Sequence, residues 1–392
     1  MASTHKWHWR ALIGLTILTL AGGFALPKFV IPPDLQEKRV LALLPPRPTQ
    51  VSELDAYRTG LDAYVADHFP ARPYLIGWLN FARLPFGVSG SDRVIVGRQG
   101  WLFYDNDTHL GAVRNDPPLD AAGARQALYF LAGRTEYLQQ RGIKYLVVAT
   151  PTKEALYPQM GPYWFKASDQ RPPMVLPSAA RASQAGEILY LHDSMKEPAK
   201  SSLKLFSLHD THWTGLGAYY GYVGLMNRLK EMGFAEGPRP LTDFSANPSA
   251  AWGPRDLALM LGIASYVQHD YQEYSDKPLE SRLKTQYLST DLSWTGPQVV
   301  DTGAEGKPVL MMGRDSFSNA LVPFLYSHFS RLILTHNQDG AWREDLISQY
   351  HPDLVVLEVI ESGLTASIAS GPPPSEAAKA RIDAVVKAQF HT

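Results

Sequence analysis

The chain has no cysteine in 392 residues, which excludes disulfides and thiolate metal sites. It also lacks an excess of either charge: 37 Lys and Arg stand against 38 Asp and Glu, a formal net charge of −1. No basic run with interleaved aromatics occurs beyond the N-terminus, so nucleic acid is not an expected partner. Internal repeats and low-complexity tracts are absent as well. What remains is an ordinary globular composition, 45% hydrophobic and 19% charged, on a chain long enough for two domains or one enlarged one. Thirty glycines and thirty prolines fit many short connections.

One long apolar segment is present, at the N-terminus. His5, Lys6 and Arg10 precede an uncharged stretch over 11–27, and Lys28 and a Pro32-Pro33 break follow it. A basic flank, an apolar stretch and small residues at Ala21-Gly22-Gly23 describe a secretory signal. Extended by residues 29–31, the same stretch would serve as an uncleaved anchor, although about 20 apolar residues normally span a bilayer and this one is short. Residues 1–31 are therefore read as a signal peptide or signal anchor, with the positive flank cytoplasmic and the body exported. The proline-rich polar residues 32–50 form a linker.

The body, 51–392, opens with a helical lead-in over 51–90, where Leu54, Tyr57, Leu61, Tyr64 and Val65 keep helical spacing. Residues 94–97 and 101–104, joined by Arg98-Gln99-Gly100, read as a hairpin. After a helix over 121–141, the nearly continuous apolar run 143–149 is the kind of strand found in a parallel sheet covered on both faces. Further strands at 187–191, 308–312, 331–335 and 354–360 alternate with helices at 214–232, 318–330 and 342–350. This alternation predicts an α/β fold with a doubly wound, mainly parallel sheet. Residues 241–299 follow neither period and are expected to be an insertion forming part of a cleft wall.

Two motifs carry chemistry. Asp210-Thr211-His212-Trp213 lies just before the predicted helix that Thr214 would cap. Gly313-Arg314-Asp315-Ser316-Phe317-Ser318 follows a predicted strand, the end at which α/β sheets bind ligands. Acid, imidazole and hydroxyl are the parts of an activated serine nucleophile: Ser316 to attack, His212 as base, Asp210 to orient the ring. Ser316 could instead be only a helix cap, and His209, Asp210 and His212 could form a metal site. No third ligand cluster supports a metal, and neither metal nor cofactor is expected. In an extended segment Asp210 and His212 would leave the same face, so the carboxylate is expected to act through the chain fold rather than by direct contact. Pro323 makes the helix after Ser316 irregular.

Further segments join these motifs: Asp67-His68-Phe69-Pro70-Ala71-Arg72, residues 94–103, Pro151-Thr152-Lys153 and Asp256-Leu257-Ala258. In this order they resemble the alginate O-acetyltransferases AlgJ and AlgX and the related DHHW proteins, which carry an SGNH-hydrolase-like domain. The resemblance runs from residue 37 to the end. It implies a circularly permuted SGNH sheet, because the acid and histidine precede the serine here and follow it in ordinary SGNH hydrolases. It also implies an acyl-enzyme on Ser316, resolved by a hydroxyl of alginate or a similar exopolysaccharide. Oxyanion donors would be the Ser316 N–H and, at matching places, Asn337 and Ser362; relatives more often carry arginine where Ser362 stands. The implied setting is the periplasm, with the body held at the inner membrane and a membrane-bound O-acyltransferase as the partner that delivers acetyl groups. AlgX-like proteins add a carbohydrate-binding module, and the roughly thirty residues after the last strand are too few for one, so AlgJ is the nearer likeness. An acetylesterase or a non-catalytic assembly subunit on the same scaffold are the alternatives. Trp101, Trp213, Trp252 and Trp294 are expected to be core or rim aromatics, with sugar stacking as the other option, and Lys153 either contacts an acidic polymer or is a capping or paired lysine.

Overall fold

The computed structural model describes residues 4–35, 40–234, 236–248, 255–267 and 272–390. Its strands are β1 Val94–Val96, β2 Leu102–Tyr104, β3 Lys144–Thr150, β4 Ile188–Tyr190, β5 Ser245–Pro248, β6 Gln272–Ser275, β7 Lys284–Tyr287, β8 Gln298–Asp301, β9 Val309–Arg314, β10 Arg331–His336 and β11 Leu354–Ile360. Seven of them form one sheet in the order β4-β3-β11-β9-β10-β8-β7. The five from β4 to β10 are parallel, and β8 and β7 extend the β10 edge antiparallel.

Counted from β9, the parallel strands read 2-1-3-4-5, a doubly wound order whose switch point lies beside strand one. The chain, however, builds positions four and five first and reaches position one only at Val309. The fold is thus the permuted sheet that the motif order implied. Alternate strand residues feed two apolar cores. On one face Leu146, Met312 and Val356 pack with Tyr222 and Phe324; on the other, Val147, Met311 and Val355 pack with Leu131 and Ile382.

Residues 241–299 differ from the expected insertion. They contain the β5–β6 ladder and β7, which pairs with β8 at the sheet's edge. The polar run Lys-Thr-Gln-Tyr of β7 has no fully buried residue, so an edge strand here shows no apolar alternation to read. Trp252 lies outside the described residues. At the other end, Thr4–Ala25 is one helix, and Trp7–Lys28 is long and apolar enough to cross a membrane. The span is longer than the uncharged stretch because Trp7 and Trp9 extend it toward the N-terminus. Helices Leu54–His68 and Arg72–Arg83 follow, and then the β1–β2 hairpin.

Candidate active site

Ser316 stands on the turn after β9, at the switch point of the sheet. Asp315 shapes this turn: its Oδ1 accepts the Phe317 N–H at 2.9 Å and its Oδ2 accepts the Ile360 N–H at 2.6 Å, tying the turn to the end of β11. The Trp213 indole donates to the Phe317 carbonyl at 3.0 Å, which fixes the far side. The serine is therefore presented by a turn held from both flanks.

Asp210 and His212 reach it from the segment before helix Gly215–Glu231, whose first turn is capped by Thr214 accepting the Gly217 N–H. His212 Nε2 lies 2.8 Å from Ser316 Oγ, and Nδ1 lies 2.7 Å from Asp210 Oδ1. The Asp210–ring contact is direct, contrary to the expectation drawn from an extended segment. Asp210 Oδ1 also accepts the His212 N–H at 2.9 Å, a turn built on an aspartate side chain that folds the two residues together. Asp256 braces the loop: its N–H donates to Asp210 Oδ2 at 3.0 Å, and its Oδ1 accepts the Thr211 N–H at 2.7 Å.

Electrostatics follow from this geometry. Burial works to lower the His212 pKa, but the hydrogen bond and charge of Asp210, with the charges of Asp256 and Asp315, outweigh it and hold the ring above its ordinary value. Burial would raise Asp210, yet its bonds to His212 leave it below the usual range. Asp256 is raised by burial and then by the charge of Asp210. Beneath the serine turn, Glu358 is fully buried on β11; it accepts the Thr150 hydroxyl at 2.9 Å and the Asp315 N–H at 3.2 Å. Burial and the neighbouring Asp315 push its carboxyl well above the usual range.

Residues 94–350 match the family described as SGNH hydrolase-like domain, acetyltransferase AlgX. The chain belongs to that family. Within the AlgX family span lie Asp210, His212, Ser316 and Asn337, while β11 and Ser362 follow it. PatB1 of Bacillus cereus, in a structure with a sulfonyl adduct, shares the fold at a TM-score of 0.51 with 12% identity, over 71% of this chain and 99% of that one. The O-acetyltransferase domain of Pseudomonas putida AlgJ aligns at 0.47 with 19% identity, over 69% and 92%. A DHHW family protein from Eubacterium siraeum aligns at 0.49 with 14% identity, over 72% and 99%. No curated protein matches the chain in sequence.

The remaining candidates have separate places. Asn337 donates from Nδ2 to the Glu358 carbonyl at 2.8 Å and lies against Gly313, where an added Cβ would stand 3.1 Å from its Oδ1. Ser362 lines a cavity of about 60 Å³ together with Thr211, Thr152, Glu154 and Tyr104. Neither hydrogen-bonds to Ser316 or His212 among the described residues. The Ser316 N–H has no partner among the described residues, whereas the next N–H is committed to Asp315.

Lys153 also lines the cavity at Ser362 but is mostly buried: it donates to the Leu102 and Leu208 carbonyls at 2.6 and 3.3 Å, and is pushed down to about 7 by burial. Trp101 and Trp213 are buried, and Trp294 is partly exposed, with the Arg314 guanidinium 5.5 Å from its ring centre. Ligand atoms of Asp210, His212 and Asp256 lie within 4.8 Å of one another, and the two aspartates already accept the hydrogen bonds described above. Sequence reasoning singled out neither Glu358 nor the bracing roles of Asp256, Asp315 and Trp213. Glu358 did leave a signal, as the lone charged residue in the apolar run of β11.

Proposed function

We propose that this protein is an exported O-acetyltransferase that acetylates hydroxyls of an exopolysaccharide, alginate or alginate-like, through an acyl-enzyme on Ser316. The observation that carries the reading is His212 bridging Ser316 Oγ and Asp210 Oδ1 at 2.8 and 2.7 Å. Ser316 Oγ attacks the acetyl carbonyl while His212 Nε2 takes its proton, and Asp210 holds the ring's tautomer and stabilises its charge. The oxyanion faces the Ser316 N–H at the start of a helix; Asn337 and Ser362 enter only by their positions beyond the carboxyl ends of β10 and β11. Collapse expels the donor group, which leaves with the proton from His212. A sugar hydroxyl then gives its proton to Nε2 and attacks the acyl-serine carbonyl; collapse breaks the bond to Ser316 Oγ, His212 returns the proton to that oxygen, and the new ester leaves with the sugar.

The donor in this reading is a membrane-bound O-acyltransferase, and the N-terminal helix holds the body in the periplasm at the inner membrane. A second reading, acetyl ester hydrolysis, has an observation of its own: the His212 side chain is 34% exposed, so water can reach the base. Wild-type protein should release acetyl from a chromogenic ester, and Ser316→Ala should not; equal rates would overturn the assignment. A sulfonyl fluoride, the reagent class suggested by the adduct on PatB1, should add one group to wild type and none to Ser316→Ala by intact mass. Partition between water and an oligosaccharide series then separates transfer from hydrolysis.

A further inference from the structure

The helix Arg72–Arg83 is built inside out. Its buried residues are Tyr74, Gly77 and Asn80, three apart and therefore on one face. That face is seated on the turn after helix Asp256–Met260. A Cβ on Gly77 would stand 2.3 Å from the Gly262 carbonyl oxygen, and Asn80 Nδ2 donates to the Leu261 carbonyl at 2.8 Å. The backbone contact fixes the helix's rotation. Turned outward are Leu75, Trp78 and Leu79, exposed by 54%, 63% and 41%, with Phe86 beyond them at 81%. A helix on a water-facing surface hides its large apolar side chains and shows polar ones. Here glycine and asparagine are hidden and leucine and tryptophan are shown, the pattern of a surface meant to be covered.

The neighbouring chain indicates what covers it. The carboxyl end of the apolar N-terminal helix packs against the same unit: Phe24 meets Phe69 edge-on with ring centres 5.6 Å apart, and the Tyr74 hydroxyl donates to the Val30 carbonyl. Leu20, Val65, Phe69, Leu75 and Ile76 line one apolar groove. Leu20 lies inside the Trp7–Lys28 span, about 12 Å of helix before its end. When that span crosses a bilayer, side chains sharing a groove with Leu20 lie at the level of the acyl chains. Tryptophan on the exposed face and Arg83 in the last turn are residue types of a helix lying in the membrane interface.

We infer that the Leu75–Trp78–Leu79 face, continued by Phe86, lies in the surface of the lipid bilayer as an in-plane contact beside the membrane span. The inference rests on reading the N-terminal helix as an uncleaved span. Span and in-plane helix together restrict swivelling of the body and set the height of Ser316 above the membrane, where an acetyl donor embedded in the bilayer would have to meet it.

The absence of cysteine makes the test direct. Trp78→Cys, Leu79→Cys, Leu18→Cys and Ser201→Cys are spin-labelled one at a time in the full chain, reconstituted into phosphatidylcholine–phosphatidylglycerol vesicles. Labels at 78 and 79 are expected to relax with oxygen rather than with a water-soluble nickel chelate, as at 18, while the label at 201 does the reverse. Positions 78 and 79 behaving like 201, with 18 still in lipid, would overturn the inference and leave the span intact. All four in water would overturn the span reading itself. Labels at 78 and 79 shielded from both reagents would mean a protein surface covers the face, which also overturns the lipid contact.

Discussion

In the proposed mechanism His212 must be neutral to take a proton from Ser316, yet its surroundings favour the charged form. The acid limb of kcat/KM is therefore expected above the ordinary imidazole value of 6.5, since the ring's pKa is raised. Asp210→Asn should lower that limb in pH and reduce kcat by a factor on the order of 10³–10⁴, as loss of the orienting carboxylate does in serine proteases. Stability runs the other way. The raised His212 contributes stability in full below 6.5 and loses it as pH rises through the folded pKa, whereas the lowered Asp210 contributes above 3.8 and loses it as pH falls through its own. The pair thus stabilises most between 3.8 and 6.5, where catalysis declines. Glu358 has a different sign. An unfolded glutamate ionises near 4.5, and burial and Asp315 raise the folded one well above that, so above 4.5 the folded chain binds more protons and stability falls with rising pH. Glu358→Gln removes that dependence; its urea midpoint is expected to gain on wild type between about pH 5 and about pH 8. A constant difference across that range would show that the carboxyl ionises alike in both states. Residue types and motif order made the serine, histidine and aspartate legible. The direct Asp210–ring contact was not, because it depends on a turn, and the bracing of that turn by Asp256 joins residues 46 positions apart.

At the level of elements, His212 depends on the start of helix Gly215–Glu231. Thr214 Oγ1 accepts the Gly217 N–H at 3.1 Å and donates to the Lys204 carbonyl at 2.8 Å. Thr214→Ala removes both and should cost about 1–2 kcal/mol in chemical denaturation. Because the base lies two residues upstream, kcat is expected to fall more than KM rises; unchanged kcat would mean that the base is positioned from the Asp256 side alone. The central strands and this helix were legible from periodicity, since each is buried along most of its length. Strands β5, β6 and β7 were not, because short edge strands with few buried residues obey no apolar period; β8, buried at three of its four residues between β10 and β7, is too short to show one.

The sheet's middle is covered on both faces, and among the described residues no further strand pairs with β7 at its edge. Hydrogen exchange is therefore expected to be slowest in β3, β9, β10 and β11 and to begin in β5, β6 and β7, where little is buried. Exchange of β7 as slow as β11 would mean that the edge is covered in solution. The permutation leaves the site in place because strand neighbours, rather than chain order, set where Ser316, His212 and Asp210 meet.

Sequence alone determined the strand–helix alternation, the apolar N-terminal segment, the reactive residue types and, through motif order, the permuted family to which the chain belongs. These are properties of local pattern, which the chain carries in its own neighbourhood. Only the tertiary structure decided that Asp210 touches the ring directly, that Glu358 and Asp256 brace the site, that Lys153 is buried and bonded to carbonyls, and that helix Arg72–Arg83 turns its apolar side outward. Each of those depends on which distant segments are brought within hydrogen-bond or van der Waals reach, and spacing along the chain does not encode that distance.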